Sequence, residues 1–120
     1  MIKNFLAVGL GGAFGAMLRY GMTLLGNHIG WSSNLSTFAV NVLGSFIIGV
    51  LTSSCEQGTW LLLATVGICG GFTTFSTFSN QTVNLLQQGK PGPALLYALG
   101  TLVVCVLAAW LGCMLGQKLR

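Results

Sequence analysis

The sequence predicts an all-α integral membrane protein of four transmembrane helices, the third of them broken, and three observations carry that reading. Charged residues make up 5% of the chain and hydrophobic ones 53%, whereas an ordinary soluble domain is about a quarter charged. At roughly 20 residues per crossing, four apolar runs with short connections use up all 120 residues as one membrane domain, residues 1–120. The run Thr65-Val-Gly-Ile-Cys-Gly-Gly-Phe-Thr-Thr-Phe-Ser-Thr-Phe-Ser-Asn80 stands apart, with three glycines, three phenylalanines and seven side chains that can hydrogen-bond through oxygen. Glycine weakens a helix and hydroxyls offer its backbone other partners. Such a stretch at membrane depth is a break, and irregular backbone survives there only when buried in protein or lining a polar cavity.

The first span, about Phe5 to Leu25, is expected to be a retained helix and not a cleaved secretory signal, since Arg19 and glycines stand where a cleavage site would fall. Gly11-x-x-x-Gly15 and Gly12-x-x-x-Ala16 let a second backbone approach closely, which predicts a helix packed centrally in the bundle. Arg19 either reaches the headgroup region or lines a cavity. His28, Trp31 and Asn34 form a polar connection at the membrane interface, with no chemistry assigned to the histidine.

The second span, about Ser36 to Ser53, places Thr37, Asn41, Ser45 and Thr52 on one helical face, with Ile48 the apolar member of the row. A polar stripe faces protein or water, not lipid. For the hydroxyls, helix-to-helix hydrogen bonding is as good an account as a pathway. Asn41 says more, because its amide carries two donors near mid-bilayer that something must accept.

Glu56, in the connection after the second span, is the sole carboxylate side chain. Proton-coupled transport and membrane hydrolysis need an intramembrane acid or base, and no G-x-S-x-G or H-E-x-x-H pattern is present, so an enzyme is not expected. Cys55, Cys69, Cys105 and Cys113 lack metal-ligand spacing and read as small apolar residues.

The third span, about Trp60 to Gln88, is longer than one crossing needs, as a break near residues 70–74 requires. Beyond it, Phe75, Phe78, Ser79 and Thr82 share one face, and Ser76, Thr77, Asn80 and Asn84 the other. No face is left for lipid. Pro93 opens the fourth span, about Pro93 to Leu115, whose small face comprises Gly100, Cys105, Ala108, Gly112 and Gly116.

Lys3, Lys118 and Arg120 fall on one side of the membrane and Lys90 on the other, an asymmetry too small to fix orientation. Insertion both ways, and with it an antiparallel dimer, is permitted. The net charge of +4 is too dispersed for nucleic acid and suits attraction of anions.

Gly11-Gly-x-x-Gly15-x-x-x-Arg19, Thr37-x-x-x-Asn41-x-x-Gly44 and above all Gly70-Gly-Phe-Thr-Thr-Phe-Ser-Thr-Phe-Ser79 resemble the signature segments of the Fluc/CrcB fluoride channels, over essentially the whole chain. The resemblance implies a multi-pass protein of the cell (inner) membrane, an antiparallel dual-topology homodimer with two pores that lets fluoride leave the cell passively. It implies a structural Na+ held by the backbone carbonyls of Gly70 and Thr73. Along the fluoride route it implies Phe75 and Phe78, the Asn41 amide, the Ser79 hydroxyl and, near the vestibule, Arg19. Departures are Gln81, where many relatives have glutamate, and Cys105 and Ala109, where hydroxyls are expected. A small multidrug-type antiporter is the alternative of similar size, and it needs a membrane-embedded carboxylate. A non-transporting membrane subunit is another, its polar stripes serving helix contacts alone.

Overall fold

A computed structural model describes residues 1–120 and is helical throughout. Helix α1 (Ile2–His28) and helix α2 (Ser33–Ser54) form the first two spans. The third consists of α3 (Thr59–Leu62), a π-helical stretch (Leu63–Cys69), α4 (Gly70–Phe72) and, past an interruption, α5 (Phe75–Gln87). Helix α6 (Pro91–Leu119) is the fourth. Four spans are each long and apolar enough to cross a membrane; the first, second and fourth outrun their expected ranges, and the third, Thr59–Gln87, is shifted by one residue.

The connections follow from local chemistry. Gly30, at φ +90°, turns the chain between α1 and α2, and Ser32 caps α2 by accepting the Leu35 N–H at 3.2 Å. Gly89, at φ +76°, ends α5. Helix α6 begins at Pro91, not Pro93, because proline suits a first turn that needs no N–H.

Small residues decide which helices touch. The Gly11 and Gly15 positions lie against the backbone of Leu63, Gly67 and Ile68, and Gly71 lies against the Gly12 carbonyl. A side chain at any of these would enter a neighbouring backbone, so α1 and the third span meet glycine to glycine. The central position expected for α1 is not found in the single chain: its buried residues are Ala7, Gly11, Gly15 and Gly26, while Leu10, Phe14 and Met17 are exposed. One glycine stripe provides one packing face.

Helices α2 and α6 form the second pair. Gly49 rests on the Ala109 carbonyl, and Gly112 and Gly116 rest on the backbone of Phe46 and Val50. Gly100, expected on this face, looks into open space. Helix α5 lies against α6 and α2 yet buries none of its own residues. The interruption between α4 and α5 therefore faces the α2–α6 pair.

Candidate functional site

Two threonines form the break, within the stretch 70–74 expected from sequence. The Cys69 carbonyl accepts both the Thr73 N–H, at 3.0 Å, and the Thr73 hydroxyl, at 2.9 Å, which closes the last helical turn. Thr73 and Thr74 are then extended, at φ −86°, ψ 158° and φ −149°, ψ 124°. The next helix starts at Phe75, with the Thr74 Oγ1 accepting the Thr77 N–H at 3.2 Å as its cap. Gly70 and Gly71, by contrast, are helical.

An extended residue inside a membrane leaves an N–H and a C=O that hydrocarbon cannot satisfy. Asn41 satisfies both groups of Thr74. Its Nδ2 donates to the Thr74 carbonyl at 3.0 Å and its Oδ1 accepts the Thr74 N–H at 2.8 Å. This answers what accepts an Asn41 donor. Arg19 does not run to the headgroups; its Nε donates to the Gly71 carbonyl at 3.1 Å. A cation there also meets the negative end of the helical dipole.

The Thr73 carbonyl is left without a donor from backbone or side chain. Thr73 and Gly70 border a cavity of about 310 Å³. Asn41, Gly44, Ser45 and Ile48 of α2 form one wall, so three members of the predicted polar row share it. Phe75 and Phe78 form another, and Thr101, Leu102 and Cys105 of α6 the third. The Phe75 and Phe78 rings are 5.5 Å apart between centroids, and Phe78 continues to Tyr97 at 5.3 Å. Tyr97 in turn donates its hydroxyl to the Gln81 Oε1 at 2.7 Å.

The structure thus brings Asn41, Gly70, Thr73, Phe75 and Phe78 together around one space. Ser79 and Arg19 are not among the residues lining it. The Ser79 hydroxyl is turned onto its own helix, donating to the Phe75 carbonyl at 2.9 Å.

Thr101 escaped the sequence reading. Hydroxyls at Thr23, Ser53, Thr65 and Thr82 each donate to the carbonyl four residues back, whereas the Thr101 Oγ1 is buried without a partner, in a residue that lines the cavity. Its place one turn before Cys105 was the available signal. Gly44 was noted only as part of a motif; a Cβ there would run into the Thr73 methyl, so its bare hydrogen leaves room for the Thr73 side chain.

Fold and site together define a small multi-pass membrane protein whose polar groups converge on a helix break, with no acid–base pair for catalysis. The chain belongs to the CrcB family, as its motifs suggested: residues 6–113 match the family described as "CrcB-like protein, Camphor Resistance (CrcB)". It is 46% identical to the fluoride-specific ion channel FluC of Thermus thermophilus, over 98% of each chain. It is 44% identical to that of Opitutus terrae, over 90% of this chain and 88% of the relative. Against the fluoride-specific ion channel FluC 1 of Listeria monocytogenes the identity is 42%, over 97% and 99%. These relatives are named as channels, not enzymes.

Proposed function

We propose that the protein is a passive, fluoride-selective channel of the cell membrane that lets cytoplasmic fluoride leave down its gradient and so relieves its toxicity. The family and the names of its relatives support the fluoride ion as cargo. The observation that carries the reading is the lining of the cavity at the break, where Asn41 and Ser45 meet the two phenylalanines Phe75 and Phe78.

Fluoride holds its hydration shell tightly, so a pore has to offer replacement donors. The amide of Asn41 retains one N–H beyond the one given to Thr74. Ring edges carry partial positive charge, so Phe75 and Phe78 add weak contacts that release the ion as readily as they admit it. Ser79 serves once its hydroxyl swings from the Phe75 carbonyl, and Arg19 contributes a fixed positive charge behind the break.

Helix α5 argues for a second copy. It buries no residue, Phe75 is 78% exposed, and Ser76, Asn80 and Asn84 are exposed at positions lipid cannot satisfy. An antiparallel, dual-topology homodimer covers that face with its own equivalent. At such an axis the Gly70 and Thr73 carbonyls of two chains supply hard oxygens to one Na+, which holds the breaks together and is not transported. The donor set fits a hard cation and offers no carboxylate for a tightly held divalent one.

A small multidrug-type antiporter has less support, since no carboxylate lines the cavity and Glu56 lies in the connection between α2 and α3. A non-transporting subunit leaves the cavity at the break without a use. Purified protein in liposomes loaded with fluoride tests the reading: efflux down the gradient supports it, and flux no higher than in protein-free vesicles refutes it.

A further inference from the structure

We infer that Asn41 is a positioning residue for the two phenylalanines, acting through Thr74, in addition to any contact its amide makes with an ion. This rests on the proposed function only in taking Phe75 and Phe78 as part of the route. The bracket itself is independent of it.

Thr74 has the φ and ψ of a β-strand residue, φ −149° and ψ 124°, but no neighbouring strand. Asn41 takes the place of that strand. Its amide accepts the Thr74 N–H at 2.8 Å and donates to the Thr74 C=O at 3.0 Å, as one residue of an antiparallel strand pairs with another. The pairing settles which end of the amide is oxygen, since the reverse orientation would set N–H against N–H and oxygen against oxygen. It consumes the Nδ2 hydrogen on the oxygen side and leaves the other, so the direction of the remaining donor is set by backbone.

The consequence reaches the rings because Thr74 is also the residue that starts α5. Its hydroxyl caps the Thr77 N–H at 3.2 Å, and Phe75 follows immediately. Phe78 stands one turn on, its ring 5.5 Å from that of Phe75. Both rings thus take their placement from a helix whose first turn is held by α2 at Asn41. Further along, α5 is held by Tyr97 of α6, which packs on Phe78 and donates to Gln81, but the start of the helix has Asn41 as its anchor. Gly44, one turn along α2, makes the matching room for Thr73.

The test uses the full-length protein in lipid nanodiscs, in sodium chloride buffer free of fluoride, with 4-fluorophenylalanine at position 78. Two signals are read by NMR: the exchange rate of the Thr74 amide proton and the ring fluorine resonance. Asn41→Ala is expected to raise Thr74 exchange by roughly tenfold or more and to move or broaden the fluorine line before any fluoride is added. Asn41→Asp keeps an oxygen for the Thr74 N–H and is expected to restore most of the protection. In the parent, one Asn41 Nδ2 proton is expected to exchange more slowly than the other, a reading that needs no variant to fold. A purely ion-binding Asn41 gives the opposite pattern: equal Nδ2 protons, unchanged Thr74 exchange in Asn41→Ala and an unmoved fluorine line without fluoride, any of which overturns the inference. Absence of fluoride flux in the parent would refute the channel reading while leaving these signals to judge the bracket.

Discussion

Arg19 and Gly71 meet through a single hydrogen bond of 3.1 Å, guanidinium Nε to carbonyl, which ties the first span to the end of the helix before the break. The contact sits where Gly71 lies against the Gly12 carbonyl, so the two backbones already touch there. Arg19→Met keeps most of the stem and removes the donor. Hydrogen bonds to charged groups contribute about 1.5–3 kcal/mol, and a loss in that range is expected as a lowered thermal midpoint in detergent, with Arg19→Lys intermediate.

Glycines at the break are not interchangeable. A Cβ at Gly44 collides with the Thr73 methyl, whereas a Cβ at Gly70 finds the Thr65 carbonyl oxygen at an ordinary 3.7 Å. Overpacking a fitted site costs about 1–3 kcal/mol. Gly44→Ala is therefore expected to lower the thermal midpoint clearly and Gly70→Ala to leave it close to the parent, as followed by size-exclusion chromatography after heating. A larger loss at Gly70 would contradict the packing described.

Thr101 offers a separation of stability from transport. Its hydroxyl is buried without a partner, so Thr101→Val removes an unsatisfied group at nearly constant shape and is expected to keep or raise thermal stability. Fluoride flux is expected to fall in the same variant if that hydroxyl serves the ion. Unchanged flux would take Thr101 off the route.

Gln81 accepts the Tyr97 hydroxyl at 2.7 Å and Tyr97 packs on Phe78. The amide is neutral at every pH of interest. Gln81→Glu places a titratable carboxyl one tyrosine away from the rings, and its ionised form repels an approaching anion. Flux in that variant is expected to decline as pH rises and the carboxyl ionises, and the parent is expected to lack this decline. Flux measured across about pH 4 to 8 checks the difference.

How far the sequence could be read depended on which interactions have a period. The polar row on α2 follows the helical repeat, so Asn41, Ser45 and Ile48 were legible as one wall. Glycine spacing likewise foretold the close approach of α1, though not that its other faces would stay uncovered in the single chain. The π-helical stretch Leu63–Cys69 left no sign, because an i→i+5 ladder has no side-chain pattern of its own. Position within the break was blurred for a related reason: glycine is permissive but does not compel, and Gly70 and Gly71 stay helical while two threonines extend. The attachments of Arg19 and Ser79 to backbone carbonyls depend on distance across or along helices, which composition cannot express.

The central claim is that the space bounded by the break and the paired rings is the route of fluoride. Fluoride efflux from liposomes carrying the Phe75→Ala/Phe78→Ala double variant, beside liposomes carrying the parent, tests it most directly. Phe75 is 78% exposed in the single chain but Phe78 packs on Tyr97, so folded recovery of the double variant is checked by size-exclusion chromatography before flux is compared. The account predicts rapid efflux from the parent and loss of most of it from the double variant. Efflux retained at the parental rate by folded double variant would contradict it.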